Sequence, residues 1–451
     1  MSEEATLDEY ADSSPAEGSE QRESRFWGTI PEGWELVDGP DVYDVNPNPK
    51  SDEEPNTYIE MDALDIELPW PRYFGERNAS EYSGKTFTAG DTLFARITPC
   101  TENGKAALVP EMDTKVGIGS TEYAVLSPKT DQINPWYLYY VGKSHSIHDY
   151  AVSRMRGSTG RQRVPFSVFR QELDVALPPL EEQRRIATVL RNMDQAVQKT
   201  EKIIEQTKRV KRGVTQNLFH HGIEDERTKQ TWPGEIPESW DVIQFSEIVD
   251  SNRNGLYKSE DAYGEGYPIA KMGNALENRV LDMSSADRLE LTKEEIEKYG
   301  LHEDDLIFAR RAQEVSAAGD CCYVPELDEP TVFESSLIRV RLSENVNPRF
   351  YVQYFEGPVG SRSIERIVTE TSISGIATSD LLDLEVALPT LEEQNEIASV
   401  LWDFDKQVKK LRSEAEQYKR FKQGLMQDLL SGTVRTTDIS IEVPEEITQH
   451  G

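Results

Sequence analysis

Cysteine is nearly missing from this chain: Cys100, Cys321 and Cys322 are the only three in 451 residues. Two are adjacent and the third lies far away, which suits neither a disulfide framework nor a zinc site. Idle thiols in a reducing compartment are expected. Histidine is scarce too, with six residues. His145/His148 and His220/His221 come in pairs, but no Glu or Cys constellation completes a ligand set, so no metal is expected. No apolar run reaches the roughly 18 residues of a membrane-spanning helix. No signal-peptide pattern is visible either, which predicts a soluble protein of the cytoplasm.

Positive charge is also short. Lys and Arg number 49 against 82 Asp and Glu, for a net charge of −33. Such a balance argues against a nucleic-acid partner unless the acidity is a whole-surface adaptation to salt. At molar salt the screening length is only ~3 Å, so global charge then predicts little. A halophilic protein that needs salt to fold is the expectation. The acids leave one gap. Tyr150–Gln171 contains none, where about four would be average. It carries Arg154, Arg156, Arg161, Arg163 and Arg170 instead. A bland charge run would be a solvated face, but a basic island in so acidic a chain points to anion binding.

The chain is written twice. Gly28-Thr29-Ile30-Pro31-Glu32-Gly33-Trp34 returns as Gly234-Glu235-Ile236-Pro237-Glu238-Ser239-Trp240, 206 positions on. Asp91-Thr92-Leu93-Phe94-Ala95-Arg96 returns as Asp305-Leu306-Ile307-Phe308-Ala309-Arg310, shifted by 214. Val175-Ala176-Leu177-Pro178-Pro179-Leu180-Glu181-Glu182-Gln183 returns as Val386-Ala387-Leu388-Pro389-Thr390-Leu391-Glu392-Glu393-Gln394, shifted by 211. Two copies are too few for a solenoid and suit a pseudo-symmetric pair of domains.

Each copy opens with a mixed segment. Short β-rich runs lie at Thr92–Ile97, Ala106–Val109, Tyr123–Leu126, Leu306–Ala309 and Leu337–Leu342. Proline-led aromatic helices follow at Pro135–Val141 and Pro348–Phe355. Each copy closes with a long helix. In the second, Ile397, Leu401, Phe404, Val408, Leu411, Ala415, Tyr418, Leu425 and Leu429 keep a seam of period 3.5 with a lapse at Lys422. In the first, Ile186, Leu190, Met193, Val197, Ile204, Val214 and Leu218 do the same, with lapses at Thr200, Thr207 and Lys211. Helices of about 40 residues span ~60 Å and cannot bury such seams alone. The economical partner is the other copy, running antiparallel. The predicted fold is α+β: two similar globular domains separated by two long helices in an antiparallel coiled coil, with pseudo-two-fold symmetry. The predicted boundaries are a disordered acidic tail (1–27), a first domain (28–177), a first helix (178–221) and a linker (222–233). A second domain (234–388), a second helix (389–431) and a C-terminal tail (432–451) follow. In that last tail Ile439, Ile441 and Val443 alternate as a strand would.

A domain opening on Pro-x-x-Trp, followed by Ala-Leu-Pro-Pro-Leu-Glu-Glu-Gln at the head of a long helix and then all repeated, resembles the specificity subunit of Type I restriction-modification systems. The resemblance covers residues 28 to about 435. It implies two target-recognition domains, each reading half of an asymmetric, bipartite DNA site. The helices would act as a ruler, for half-sites about one helical turn (~34–36 Å) apart. It also implies docking of adenine methyltransferase (modification) subunits and then restriction/translocase subunits. It implies no catalytic residue and no cofactor in this chain.

Reading DNA needs donors and acceptors for base edges and cations for phosphates. The first candidate loop follows Arg96 and holds Thr98, Asn103 and Lys105; its counterpart holds Arg310, Arg311 and Gln313. The competing reading of the repeated Arg96/Arg310 is an ion pair inside the domain. The second loop is Arg156-Gly157-Ser158-Thr159-Gly160-Arg161-Gln162-Arg163. Its counterpart, Thr371 to Gly375, offers Ser374 but no arginine. Arg253, Asn254, Lys258, Lys271 and Asn274 are candidates to compensate.

Three motifs are set aside. Asn134-Pro135-Trp136-Tyr137 resembles an adenine-methyltransferase motif but lacks its second proline and a cofactor loop, and a helix start explains it. Gly142-Lys143-Ser144 lacks the first glycine of a phosphate loop. The Glu-Glu-Gln sets read as helix caps. The competing functions are a coiled-coil scaffold that binds no DNA, against which the basic island argues, and an enzyme, for which no cofactor motif is found.

Overall fold

The computed structural model describes residues 23–448, apart from 52–53, 79, 81–82, 159, 233, 277–278, 370–373 and 438–439. The chain divides into two units. One comprises Met1–Glu201 with Ser413–Gly451, the other Lys202–Arg412. Each unit thus joins one globular domain to the near half of one long helix and the far half of the other.

In the first unit, Tyr43–Val45, Tyr123–Pro128, Thr92–Ala95 and Ala106–Leu108 form an antiparallel sheet in that order. A second sheet orders Gly75–Arg77, Asn56–Ile59, Gly117–Gly119 and Lys85–Phe87. Its central pair is parallel. The second unit repeats the first sheet as Val249–Asn254, Leu337–Leu342, Leu306–Ala309 and Cys321–Tyr323. A two-stranded ladder leads into each long helix: Glu35–Asp38 with Asp174–Leu177, and Asp241–Gln244 with Glu385–Leu388. Helices Pro135–Lys143 and Pro348–Glu356 lie inside the cores. Asn134 and Asn347 cap them, each side chain accepting two main-chain N–H groups.

The long helices run Leu180–His221 and Leu391–Ser431. Gly222 (φ +69°) and Gly432 (φ +72°) end them in the left-handed conformation that glycine tolerates. The helices pack antiparallel. In the first unit Asp194 meets Lys422 and Glu201 meets Lys419; in the second Lys211 meets Asp405. The seam lapses are not gaps. Thr200, Thr207, Lys211 and Lys422 are all buried. Lys211 is held 2.7 Å from Asp405, and Lys422 is held 2.5 Å from Asp194. These are the same pair, displaced by 211 residues.

Three expected boundaries move. Residues 1–22 of the predicted tail lie outside the described residues, but Glu23–Ser24 pairs with Gly28–Thr29. Phe26 and Trp27 are buried in the core. The linker likewise holds a strand, Thr228–Gln230, paired with Glu235–Pro237. The C-terminal tail docks on the first unit. Ile447 is fully buried there and its carbonyl accepts from Asn134 Nδ2 at 2.8 Å. Ile441 and Val443 precede a short helix, Glu445–Thr448, rather than forming a strand; Ile439 lies outside the described residues.

Candidate nucleic-acid interface

In the first unit the fold brings the two candidate loops together. Ile97 bridges Arg163, Thr98 N donates to Gln162 O at 3.0 Å, and Val164 N donates to Arg96 O at 2.9 Å. Arg156 and Arg163 exchange both main-chain bonds, closing the second loop as a hairpin. Gly157 (φ +136°) and Gly160 (φ +78°) permit its turn, and a Cβ on Gly157 would stand 2.7 Å from Arg161 O.

One carboxylate clasps this junction. Glu122 takes Arg96 at 3.2 Å and Arg163 at 2.8 Å. The Arg96 guanidinium also donates to Val164 O at 2.9 Å and lies 4.1 Å from the Phe166 ring centre. Arg96 is thus paired inside its own domain, as the competing reading of the repeated arginine expects. Lys105 is drawn to Met61 O and Asp62, and Thr98 bonds Glu102. Beneath the loop, Lys143 Nζ donates to Gly104 O at 2.6 Å and Ile66 O at 2.7 Å, while His148 Nε2 lies 2.9 Å from Thr101 O. Asn103, Arg156, Ser158 and Arg161 remain exposed, facing solvent. Thr159 lies outside the described residues.

The second unit repeats the junction. Arg311–Ala312 pairs with Ser374–Gly375, and Ile376 N donates to Arg310 O at 3.0 Å. Arg310 N donates to Ser336 O as Arg96 N donates to Glu122 O. Ser336 occupies the place of the Glu122 clasp, and the Arg310 guanidinium donates to Ser335 O at 3.3 Å. Arg311 and Gln313 are exposed. Ser374 is buried at 2% exposure within the strand pair. Asn254 joins the same edge, its Oδ1 accepting from Thr378 Oγ1. Arg253, half-buried, stands across the ladder from Arg339. Three further candidates are occupied locally. Lys258 pairs with Glu295, and Lys271 with Asp287, each at 2.6 Å. Asn274 closes its own turn through Lys271 N and Asp282 O.

The Glu-Glu-Gln sets place acids in the first turn of each long helix, as the dipole reading expects, and they also weld helix to domain. Glu182 accepts from Trp34 Nε1 and Glu393 from Trp240 Nε1, at 3.1 and 2.9 Å. Gln183 and Gln394 accept from Asn134 N and Asn347 N, both at 2.8 Å. Burial raises the Glu182 pKa, but Arg435 and Trp34 outweigh it and the net shift is downward. Among the described residues no three His, Cys, Asp or Glu gather as a metal site requires, and no helix is long and apolar enough to cross a membrane. Sequence reasoning missed Glu122, which belongs to no motif, and weighed Lys143 only within the Gly142-Lys143-Ser144 motif it set aside; both act on segments far away in the chain.

The family described as Type I restriction modification DNA specificity domain matches twice, over residues 31–209 and 237–417. The chain is 26% identical over 431 residues to the putative type I restriction enzyme MjaX specificity subunit of Methanocaldococcus jannaschii, covering 90% of this chain and 95% of that one. It is 26% identical over 331 residues to the MjaVIII specificity subunit of the same organism, covering 72% and 76%. The fold matches the S subunit of a Type-I restriction-modification system from M. genitalium, with a TM-score of 0.57 at 13% identity over 89% of this chain and 96% of that one. A chain from a type I R-M system studied for complex assembly gives 0.54 at 19%, over 90% and 100%.

Proposed function

This chain belongs to the Type I restriction modification DNA specificity family, and from that premise we propose that it is the DNA-reading, non-catalytic subunit of such a system. Residues 28–177 and 234–388 act as target-recognition domains, each reading half of a bipartite, asymmetric site. The helices 178–221 and 389–431 set the gap and dock methyltransferase subunits, to which restriction/translocase subunits are added. The site of action is the cytoplasm. The observation that carries this reading is the doubled junction. Both units bring the same two loops together through the same main-chain bonds, yet display different side chains there. A scaffold that holds its backbone constant while its exposed residues vary suits two readers of different half-sites.

Asn103, Arg156, Ser158 and Arg161 are the contacts we assign to the first unit, and Asn254, Arg310, Arg311 and Gln313 to the second. Arg156 and Arg161 serve phosphates. Arg156→Gln/Arg161→Gln should weaken binding to all duplexes alike and flatten the log–log salt dependence by about two. An unchanged slope would remove the basic island from the interface.

The net charge of −33 is assigned to a halophilic host. Screening at molar salt relieves the self-repulsion of such a surface. Thermal melts should show the midpoint rising steeply with KCl; a fold indifferent to salt contradicts the assignment.

A further inference from the structure

The second unit holds a cleft of about 650 Å³ between the two long helices and the globular domain. Eight Lys or Arg side chains line it against three carboxylates, in a chain where acids outnumber bases. Two of those carboxylates, Asp405 and Glu356, are already engaged by Lys211. Between the cations the floor is apolar, built from Val280, Leu281, Pro325, Trp402 and Val408.

The repeat provides an internal control. A displacement of 211 carries Lys406, Lys409 and Arg412 onto Gln195, Gln198 and Glu201, and Arg212 onto Gln423. The buried pair Lys211–Asp405 survives the same displacement as Lys422–Asp194. The helix pair therefore forms without the four extra cations. At the corresponding Lys419, Lys422 and Gln423 the first unit has a smaller cleft, about 380 Å³, with four Lys or Arg against three carboxylates. Charge present in one copy and dispensable in the other is not there for packing.

We infer that the cleft of the second unit binds an acidic, partly apolar peptide segment of a partner protein, so that the partner engages one unit and not the other. Lys208, Arg212 and Lys409 are exposed at the rim, where they suit carboxylates, and the floor suits apolar side chains. Nucleic acid fits less well. A duplex is too broad and stiff for a cleft of this volume. A single strand needs open aromatic faces for its bases, but Arg349 covers the rings of Tyr323 and Trp402, 4.9 and 5.7 Å from their centres. This inference stands apart from the DNA-reading role, since it uses none of the loop residues.

The test uses the full chain and a short fluorescein-labelled peptide alternating glutamate with leucine and phenylalanine. An all-glutamate peptide and a single-stranded oligonucleotide serve as comparators. Arg212→Gln/Lys406→Gln/Lys409→Gln installs the residues of the first unit at each position, so folding is retained. Fluorescence anisotropy should show the mixed peptide binding tightest and weakening about tenfold in the variant. Duplex-DNA affinity should not change. Equal peptide binding by variant and wild type overturns the proposal, as does a preference for oligonucleotide or all-glutamate peptide, or a loss of duplex affinity in the variant. Measuring Arg156→Gln/Arg161→Gln on duplex in parallel separates failure of the DNA-reading role from failure of this one.

Discussion

Lys143 lies beneath the first candidate loop with its ammonium given to two main-chain carbonyls, Gly104 O and Ile66 O. Burial, and then the nearby Lys422 cation, bring its pKa from its ordinary 10.5 down to about 8. Between those two values the unfolded chain binds the proton and the folded chain does not, so stability rises with pH across that window. Below about 8 both states are charged and the contribution is flat. Urea midpoints followed across this range should climb in the wild type and climb less in Lys143→Met. Identical slopes would show that the ammonium is not desolvated there. Glu122 illustrates what sequence conceals at this scale. Arg96 was recognisable because it repeats, but its clasp is 26 positions away and is replaced by Ser336 in the other copy. A repeated arginine with a variable partner has no signature in either copy alone.

The long helices were readable because their seam is local: a period of 3.5 needs only a window of neighbours. The lapses at Lys211 and Lys422 were not, because the residues that satisfy them, Asp405 and Asp194, come from the opposite helix about two hundred positions away. The common displacement of 211 did contain the hint, since two lapses at the same place in both copies signal a constraint rather than an accident. A buried lysine bridging two carboxylates, Asp405 and Glu356, makes a sharp prediction. Lys211→Met leaves Asp405 with Gln353 as its donor among the described residues, takes a partner from Glu356, and should cost about 3 kcal/mol. Lys211→Met/Asp405→Leu should recover most of that loss, because an apolar pair has no charge to desolvate. Equilibrium urea unfolding of the three proteins decides it; a harmless single substitution would mean the pair is solvated. Domain edges were the other blind spot. Phe26, Trp27 and Ile447 lie in acidic, polar stretches that look unstructured, and their burial depends on a core assembled from distant segments.

Across the whole chain, the duplication carries the account. The repeated segments build equivalent sheets, ladders, caps and welds in both units, while the loops on the equivalent junctions diverge in charge and size. That is what the proposed function requires of two readers of different half-sites. The most direct measurement is to express the chain with its methyltransferase subunit in a salt-tolerant host and map methylated adenines across the genome. The account predicts one bipartite motif with a fixed unspecified gap, absent without this chain. Exchanging residues 28–175 for those of a relative should change one half of the motif and leave the other half and the gap intact. Methylation independent of this chain, or a motif in which both halves change together, would contradict it.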